Sequence, residues 1–302
     1  MKSPILFITF NRPEKTEQVF SVIRVYQPEK IYIASDGPRD NKPGEAELVA
    51  RTRKIFDTID WPCTVIRIFR ETNLGCKRAV SESITEFFKH EEMGIILEDD
   101  CMPNPSFFEY CTEMLLKYKE NESIFHVNGT NLLPASDLQN VPTSYYFTKN
   151  IHIWGWASWR RAWNQYDIDM KDIESQEQHI ISQFENKKTG YFWISLFKHI
   201  RDKNINTWDA QWVYSILKNN GIGIAPCVNL IKNIGFDASA THTTAVEKDS
   251  PYIKETESMD TTHIIHPETI QVRSDLDTKI VRRLYIQTIT QKILYRIKKI
   301  FV

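Results

Sequence analysis

The feature that most restricts the fold is an alternation of short apolar runs with helical periodicity through residues 5–98. Ile5-Leu6-Phe7-Ile8-Thr9-Phe10 reads as a parallel strand buried on both faces. Asn11-Arg12-Pro13 breaks that run, and Glu14 to Tyr26 follows with Val19, Val22, Ile23 and Tyr26 at helical spacing. Lys30 to Ser35 predicts a second strand, stopped by the turn signal Asp36-Gly37-Pro38. A polar loop from Arg39 to Glu47 leads into a helix through Phe56, and Cys63 to Phe69 predicts a third strand. Asn73-Leu74-Gly75 turns into a helix through Phe88, and Gly94 to Leu97 predicts a fourth strand, cut off by Glu98-Asp99-Asp100. Strand and helix in turn predict an α/β fold, a doubly wound and mostly parallel sheet flanked by helices. Ligands of such sheets bind beyond the carboxyl ends of the strands, where Asp36 and the acidic triplet both fall.

The second half is less regular. Ser106 to Tyr118 predicts a helix, Ile124 to Val127 a short strand, and Thr130 to Thr143 a loop. Four of the eight tryptophans then fall within residues 154–163. Thr207-Trp208-Asp209-Ala210-Gln211-Trp212 opens a helix through Leu217, Ile222 to Ala225 predicts a strand, and Gly235 to Ser250 is a polar loop containing His242.

Composition narrows the function classes. The 302 residues are 41% hydrophobic and 12% aromatic, enough to bury a large core, and suggest one large α/β domain or a core with an appendage. A net charge of −1 argues against a general nucleic-acid binder. No apolar run approaches the roughly 18–20 residues of a membrane span. The five cysteines are odd in number and lack a C-x-x-C pair, which favours free thiols in a reducing compartment. The first ten residues read as a strand rather than a signal peptide, so the expectation is a cytoplasmic protein.

Three adjacent carboxylates after a buried strand repel one another unless a cation or strong donors offset them. Glu98-Asp99-Asp100 therefore suits a hard divalent ion shared with substrate phosphates, or else a solvated loop before the next helix. Asp36 ends a strand where nucleotide-binding sheets place an acid for a base or ribose, or it simply holds the turn with Gly37. Lys77 and Arg78 lie at a helix start, where backbone N–H groups also attract anions; a solvated helix end is the plain alternative.

Phe7-Ile8-Thr9-Phe10-Asn11-Arg12-Pro13, Ser35-Asp36-Gly37, Asn73-Leu74-Gly75 and Ile96-Leu97-Glu98-Asp99-Asp100, in this order, resemble a GT-A glycosyltransferase. Leu97-Glu98-Asp99-Asp100 with Pro105-Ser106-Phe107-Phe108-Glu109-Tyr110 resembles, more narrowly, the inverting N-acetylglucosaminyltransferase I family. Gly155-Trp156 and Trp208-Asp209 resemble its later segments, and the likeness covers residues 4–245. Bacterial glycosyltransferases of surface-polysaccharide clusters are similar in length.

The resemblance implies transfer of a sugar, a hexose or N-acetylhexosamine, from a nucleoside-diphosphate sugar (UDP favoured) to a saccharide or lipid-linked saccharide. It implies Mn²⁺ or Mg²⁺ on Asp100, with His242 as a second candidate ligand in a loop that closes over the donor. Thr9, Asn11, Arg12, Asp36, Lys77, Arg78, Glu98 and Asp99 would line the donor site. Residues 1–105 would form the nucleotide-sugar half and residues 106–250 the acceptor half. An inverting transfer needs a base for the acceptor hydroxyl, and Asp209 between Trp208 and Trp212 is the candidate; a helix-dipole acid beside core tryptophans is the alternative. Trp156 and Trp208 are the candidates for touching sugar. A sugar nucleotidyltransferase is the rival enzyme, but it carries a Gly-rich basic loop after strand one, where this chain has Asn11-Arg12-Pro13. A carbohydrate-binding protein is the non-enzymatic rival, and it leaves the convergence of Asp36 with the acidic triplet unexplained.

Residues 251–302 read as an extension. From Lys279 to Val302 there are seven cations and no acid, and Ile286, Ile289, Ile293, Ile297 and Ile300 form a helical stripe. Such a helix suits an anionic membrane surface as well as it suits packing on the domain. Without those residues the chain carries −8, so the body is acidic.

Overall fold

The computed structural model describes residues 2–236 and 252–284. Ten strands are present among them: β1 (Ile5–Thr9), β2 (Lys30–Ser35), β3 (Thr64–Phe69), β4 (Met93–Glu98), β5 (Cys101–Pro103), β6 (Ile124–Asn128), β7 (Tyr145–Thr148), β8 (Trp156–Trp159), β9 (Ile222–Pro226) and β10 (Ile231–Asn233). Eight form one sheet in the order β3-β2-β1-β4-β8-β6-β9-β7, and β10 pairs with β5 in a separate ribbon. The β3-β2-β1-β4 half is parallel throughout. β8 runs antiparallel to both neighbours, β6 is parallel to β9, and β7 is antiparallel to β9. The sheet is thus mostly parallel and flanked by helices, the arrangement expected from residues 5–98.

The helices are α1 (Pro13–Tyr26), α2 (Glu45–Lys54), α3 (Gly75–His90), α4 (Ser106–Lys117), α5 (Ala135–Leu138), α6 (Arg160–Trp163), α7 (Ile173–Ser182), α8 (Lys187–Asp202), α9 (Asp209–Lys218) and α10 (Ser274–Leu284). Alternate side chains of β1 enter two cores, as the two-residue period of a strand requires. Ile5 and Phe7 pack with Val19, Phe20 and Ile23 of α1 and with Phe107 and Phe108 of α4. Leu6 and Ile8 pack with Val80, Ile84 and Phe87 of α3 and with the tryptophans of α6 and α9. Burying a side chain such as Phe20 is worth about 2–3 kcal/mol, and helices on both faces explain why β1 shows no polar alternation.

Pro13 starts α1, where its missing N–H costs nothing, and Gln27 closes the helix in the left-handed region at φ 52°. β8 carries Trp156 into the α3 core and Ala157 and Trp159 into the α1 core. That two-sided burial makes a strand out of what reads in sequence as an aromatic cluster.

Residues 252–273 form no helix or named strand, and α10 then docks beside β7 at the edge of the sheet. Asp277 of α10 accepts from the Thr148 hydroxyl and from Lys149 N at 2.9 Å, beside β7. Leu276 and Ile280 pack with Leu133, Leu138 and Tyr146, and Lys279 pairs with Asp137 at 2.8 Å. The helix begins at Ser274 rather than Lys279, and its described turns pack on the domain. The isoleucine stripe from Ile286 lies outside the described residues, and no described helix is long and apolar enough to cross a membrane. All five cysteines are free thiols.

Candidate functional site

Pairing of Ile8 with Glu98 brings the ends of β1 and β4 side by side, so that Arg12 meets the acidic triplet. Arg12 Nη1 donates to Asp100 Oδ2 at 2.9 Å and Nη2 to Asp99 Oδ1. Burial opposes the Arg12 charge, yet Asp99 and then Asp100 outweigh it and hold the guanidinium pKa above its ordinary value. Asp99 is 2% exposed and also faces Phe10 N at 3.4 Å and the Thr16 hydroxyl at 3.5 Å. Asp99 thus faces inward and fixes Arg12.

Glu98 accepts no hydrogen bond from the described residues. Burial pushes its pKa up to about 8, with Asp100 and Asp99 adding to the rise and Arg12 opposing it. Asp209, on α9, also acts on Glu98 through its charge. The Cys76 thiol at the start of α3 is pushed up to about 12, first by burial and then by Glu98, Asp209, Asp36 and Asp100. Glu98, Asp99, Asp100 and Asp209 thus share one region in which Arg12 is the cation paired with the triplet.

This excess of carboxylate oxygen fits a hard divalent cation, which takes oxygen ligands and completes its shell with water and phosphate. Among the described residues no three His, Cys, Asp or Glu side chains gather as a ready-made cage. His242 lies outside the described residues.

The β5–β10 ribbon brings a second chain segment to Asp100. Ile234 N donates to the Asp100 carbonyl at 2.8 Å, and Gly235 N donates to Asn233 Oδ1 at 2.7 Å. A Cβ on Gly235 would sit 2.5 Å from Asp100 Oδ2, so only glycine allows this approach.

Asp209 opens α9. Its Oδ1 accepts from Ala210 N at 2.8 Å and from the Thr207 hydroxyl, while Oδ2 has no partner among the described residues. Trp208 and Trp212 are core residues, packed with Trp156 and Trp163. Of the two candidates for sugar contact, Trp156 is 0% exposed, stacked on His126 and Trp208, and Trp208 is 2% exposed.

Several expected donor contacts are committed elsewhere. Asp36 accepts from Gly37 N at 3.0 Å, Leu74 N at 3.0 Å, Gly75 N at 3.2 Å and Asn73 Nδ2 at 3.0 Å. Both oxygens are occupied by these bonds, so Asp36 clamps the turn before α3. The same clamp uses N–H groups expected to attract anions, and Asn206 Oδ1 takes Lys77 N at 2.9 Å. Arg78 turns outward to Glu82. The Thr9 hydroxyl donates to the Ala34 carbonyl at 3.1 Å, and Asn11 donates to Glu45 at 2.9 Å.

Sequence reading missed Glu45, which is buried and gathers Asn11 and Arg39. It missed Asn206, which sits where a Cβ on Gly75 would be, 2.7 Å from its Nδ2. It also missed Gly235, for which one signal existed: a glycine directly before an aromatic, in a chain with only 10 glycines.

No family profile and no curated protein matches the chain. Among solved structures it is similar to Staphylococcus aureus TarS residues 1–349, with TM-score 0.38 and 11% identity over 74% of this chain and 58% of that one. Mouse xyloside xylosyltransferase 1 gives TM-score 0.37 and 10% identity over 72% and 81%. A UDP-glucose pyrophosphorylase gives TM-score 0.36 and 12% identity over 80% and 94%. Likenesses this slight carry no inference about activity.

Proposed function

We propose that this chain is a glycosyltransferase that moves a hexose or N-acetylhexosamine from a nucleoside-diphosphate sugar, UDP favoured, to a saccharide or lipid-linked saccharide, with inversion. One observation carries the reading. Glu98 at the end of β4, Asp100 in the turn that follows it, Arg12 from the loop after β1, and Asp209 from α9 converge at the carboxyl end of the sheet with an excess of negative charge. A site of that kind holds a diphosphate only with an added cation, so Asp100 would hold Mn²⁺ or Mg²⁺. When bound, the ion supplies compensation for charge developing on the departing diphosphate.

The chain's own residues do the rest. Asp99 and Asp100 fix the Arg12 guanidinium, a planar donor suited to phosphate oxygens. Glu98, with a raised pKa and no protein donor, can exchange hydrogen bonds with hydroxyls of the donor sugar. Thr207 and Ala210 N hold Asp209 Oδ1, leaving Oδ2 to take the proton of the attacking acceptor hydroxyl.

A thermal-shift series with UDP-, GDP-, ADP- and dTDP-sugars, each with and without Mn²⁺, tests this reading. Stabilisation by a nucleotide-sugar that depends on the ion is expected. Absence of any shift overturns it, and synthesis of a nucleotide-sugar from a sugar phosphate and a nucleoside triphosphate would replace it with a nucleotidyltransferase.

A further inference from the structure

Trp154 is linked to the acidic centre through Phe236, whose neighbour Gly235 lies against the Asp100 carboxylate. It is half-buried, and its ring meets Phe236 with centroids 5.4 Å apart and Tyr252 at 5.9 Å. The interplanar angles are 71° and 65°, so the three rings meet edge-on at a corner, with Trp154 also resting on the core. Glycines set this corner beside Asp100. Gly235, one residue before Phe236, lies against the Asp100 carboxylate, and Gly155, one residue after Trp154, adopts φ 56° with no room for a Cβ beside Ile231. Gly129 N in turn donates to the Gly155 carbonyl at 2.8 Å, and the Thr130 hydroxyl to the Trp154 carbonyl at 2.9 Å. The Trp154 backbone is thus pinned, and its ring is reached from Asp100 through two consecutive residues.

We propose that Trp154, with Phe236 and Tyr252, is the platform against which the apolar C–H face of the acceptor saccharide packs. Aromatic rings offer large rigid apolar area at low entropic cost, and an acceptor placed there lies beside the proposed diphosphate centre. The inference rests on the glycosyltransferase reading and adds the binding surface that the buried Trp156 and Trp208 cannot provide.

Saturation-transfer difference NMR on the full chain with UDP and Mn²⁺ tests it, using maltotriose, cellotriose and chitotriose as probes. Saturation should reach axial C–H protons of at least one trisaccharide in the unaltered protein. It should fall by about fivefold or more in Trp154→Ala and in Trp154→Leu, which keeps apolar bulk without a flat face, and persist in Trp154→Phe. The UDP signals in the same tube report the nucleotide reading and the integrity of each variant. UDP signals with no trisaccharide signal in the unaltered protein, or with unchanged trisaccharide signal in Trp154→Leu, overturn the platform alone. Loss of the UDP signals in the unaltered protein overturns the nucleotide-sugar reading itself.

Discussion

Trp212 Nε1 donates to His126 Nδ1 across 3.1 Å. An indole N–H can only donate, so His126 is held as the Nε2–H tautomer, whose proton goes to the His152 carbonyl at 3.0 Å. Protonating Nδ1 would set two donors face to face in the core.

That arrangement makes stability fall in mild acid. Burial pushes His126 from 6.5 down to about 3 and His152 from 6.5 down to about 4. Above pH 6.5 both rings are neutral, folded or unfolded, and their full contribution is present. Below it the unfolded chain takes up protons that the folded chain refuses, so stability is lost as pH falls towards the folded values. At about pH 5 each histidine should cost ~2 kcal/mol relative to pH 7.5. Urea denaturation at the two pH values measures this. His126→Gln, which keeps a donor and an acceptor, should remove roughly half of the loss; an unaltered loss in that variant would count against the assignment.

Arg12 and Asp99 should behave as a coupled pair. Removing the guanidinium leaves the buried Asp99 carboxylate without its cation, so Arg12→Ala should cost about 3 kcal/mol. Adding Asp99→Asn should restore much of that loss, because the unpaired charge is then gone. A double-mutant cycle by urea denaturation measures the coupling, and strictly additive effects would show that Asp99 does not depend on Arg12.

How much of this could be read from residues alone depended on the range of the contacts. β1 to β4 were legible because strands buried on both faces leave unbroken apolar runs between turn signals. β7 was not, since Tyr145–Thr148 is four residues long and sits between loops. Glu98-Asp99-Asp100 stood out because adjacent acids after an apolar run demand compensation. The partner choice of Asp36 left no such mark: Leu74 and Gly75 lie 38 and 39 residues away, and only the sheet brings them to its carboxylate. Tryptophans were visible in number but not in orientation. Gly155 is what separates the half-buried Trp154 from the fully buried Trp156.

Gly235→Ala should separate the candidate site from the fold. The added methyl would fall 2.5 Å from Asp100 Oδ2, and the carboxylate must move, giving up its bond to Arg12 at 2.9 Å. Asp100 is partly exposed, so the cost in stability should stay near 1 kcal/mol, within the usual range for a single substitution. Ion-dependent stabilisation by the nucleotide-sugar should nevertheless fall at least about tenfold in affinity, equal to 1.4 kcal/mol. Calorimetric titration measures it, and unchanged affinity would remove Asp100 from the proposed ion site.

Asp209→Asn should split binding from transfer. The amide is nearly isosteric, and its carbonyl can still accept from Ala210 N and Thr207 as Oδ1 does. The outer position then becomes an NH₂ group, which cannot take a proton from an acceptor hydroxyl. Nucleotide-sugar affinity should therefore stay within about twofold while transfer falls by about 10²-fold or more. Thr207→Val removes the hydroxyl that orients the carboxylate but leaves the base in place, so a smaller loss, about tenfold, is expected there. Product formation followed by mass spectrometry beside calorimetric titration of the donor resolves the two effects. Equal losses of binding and transfer in Asp209→Asn would assign Asp209 to the start of α9, where an acid stabilises the helix dipole, rather than to the chemistry.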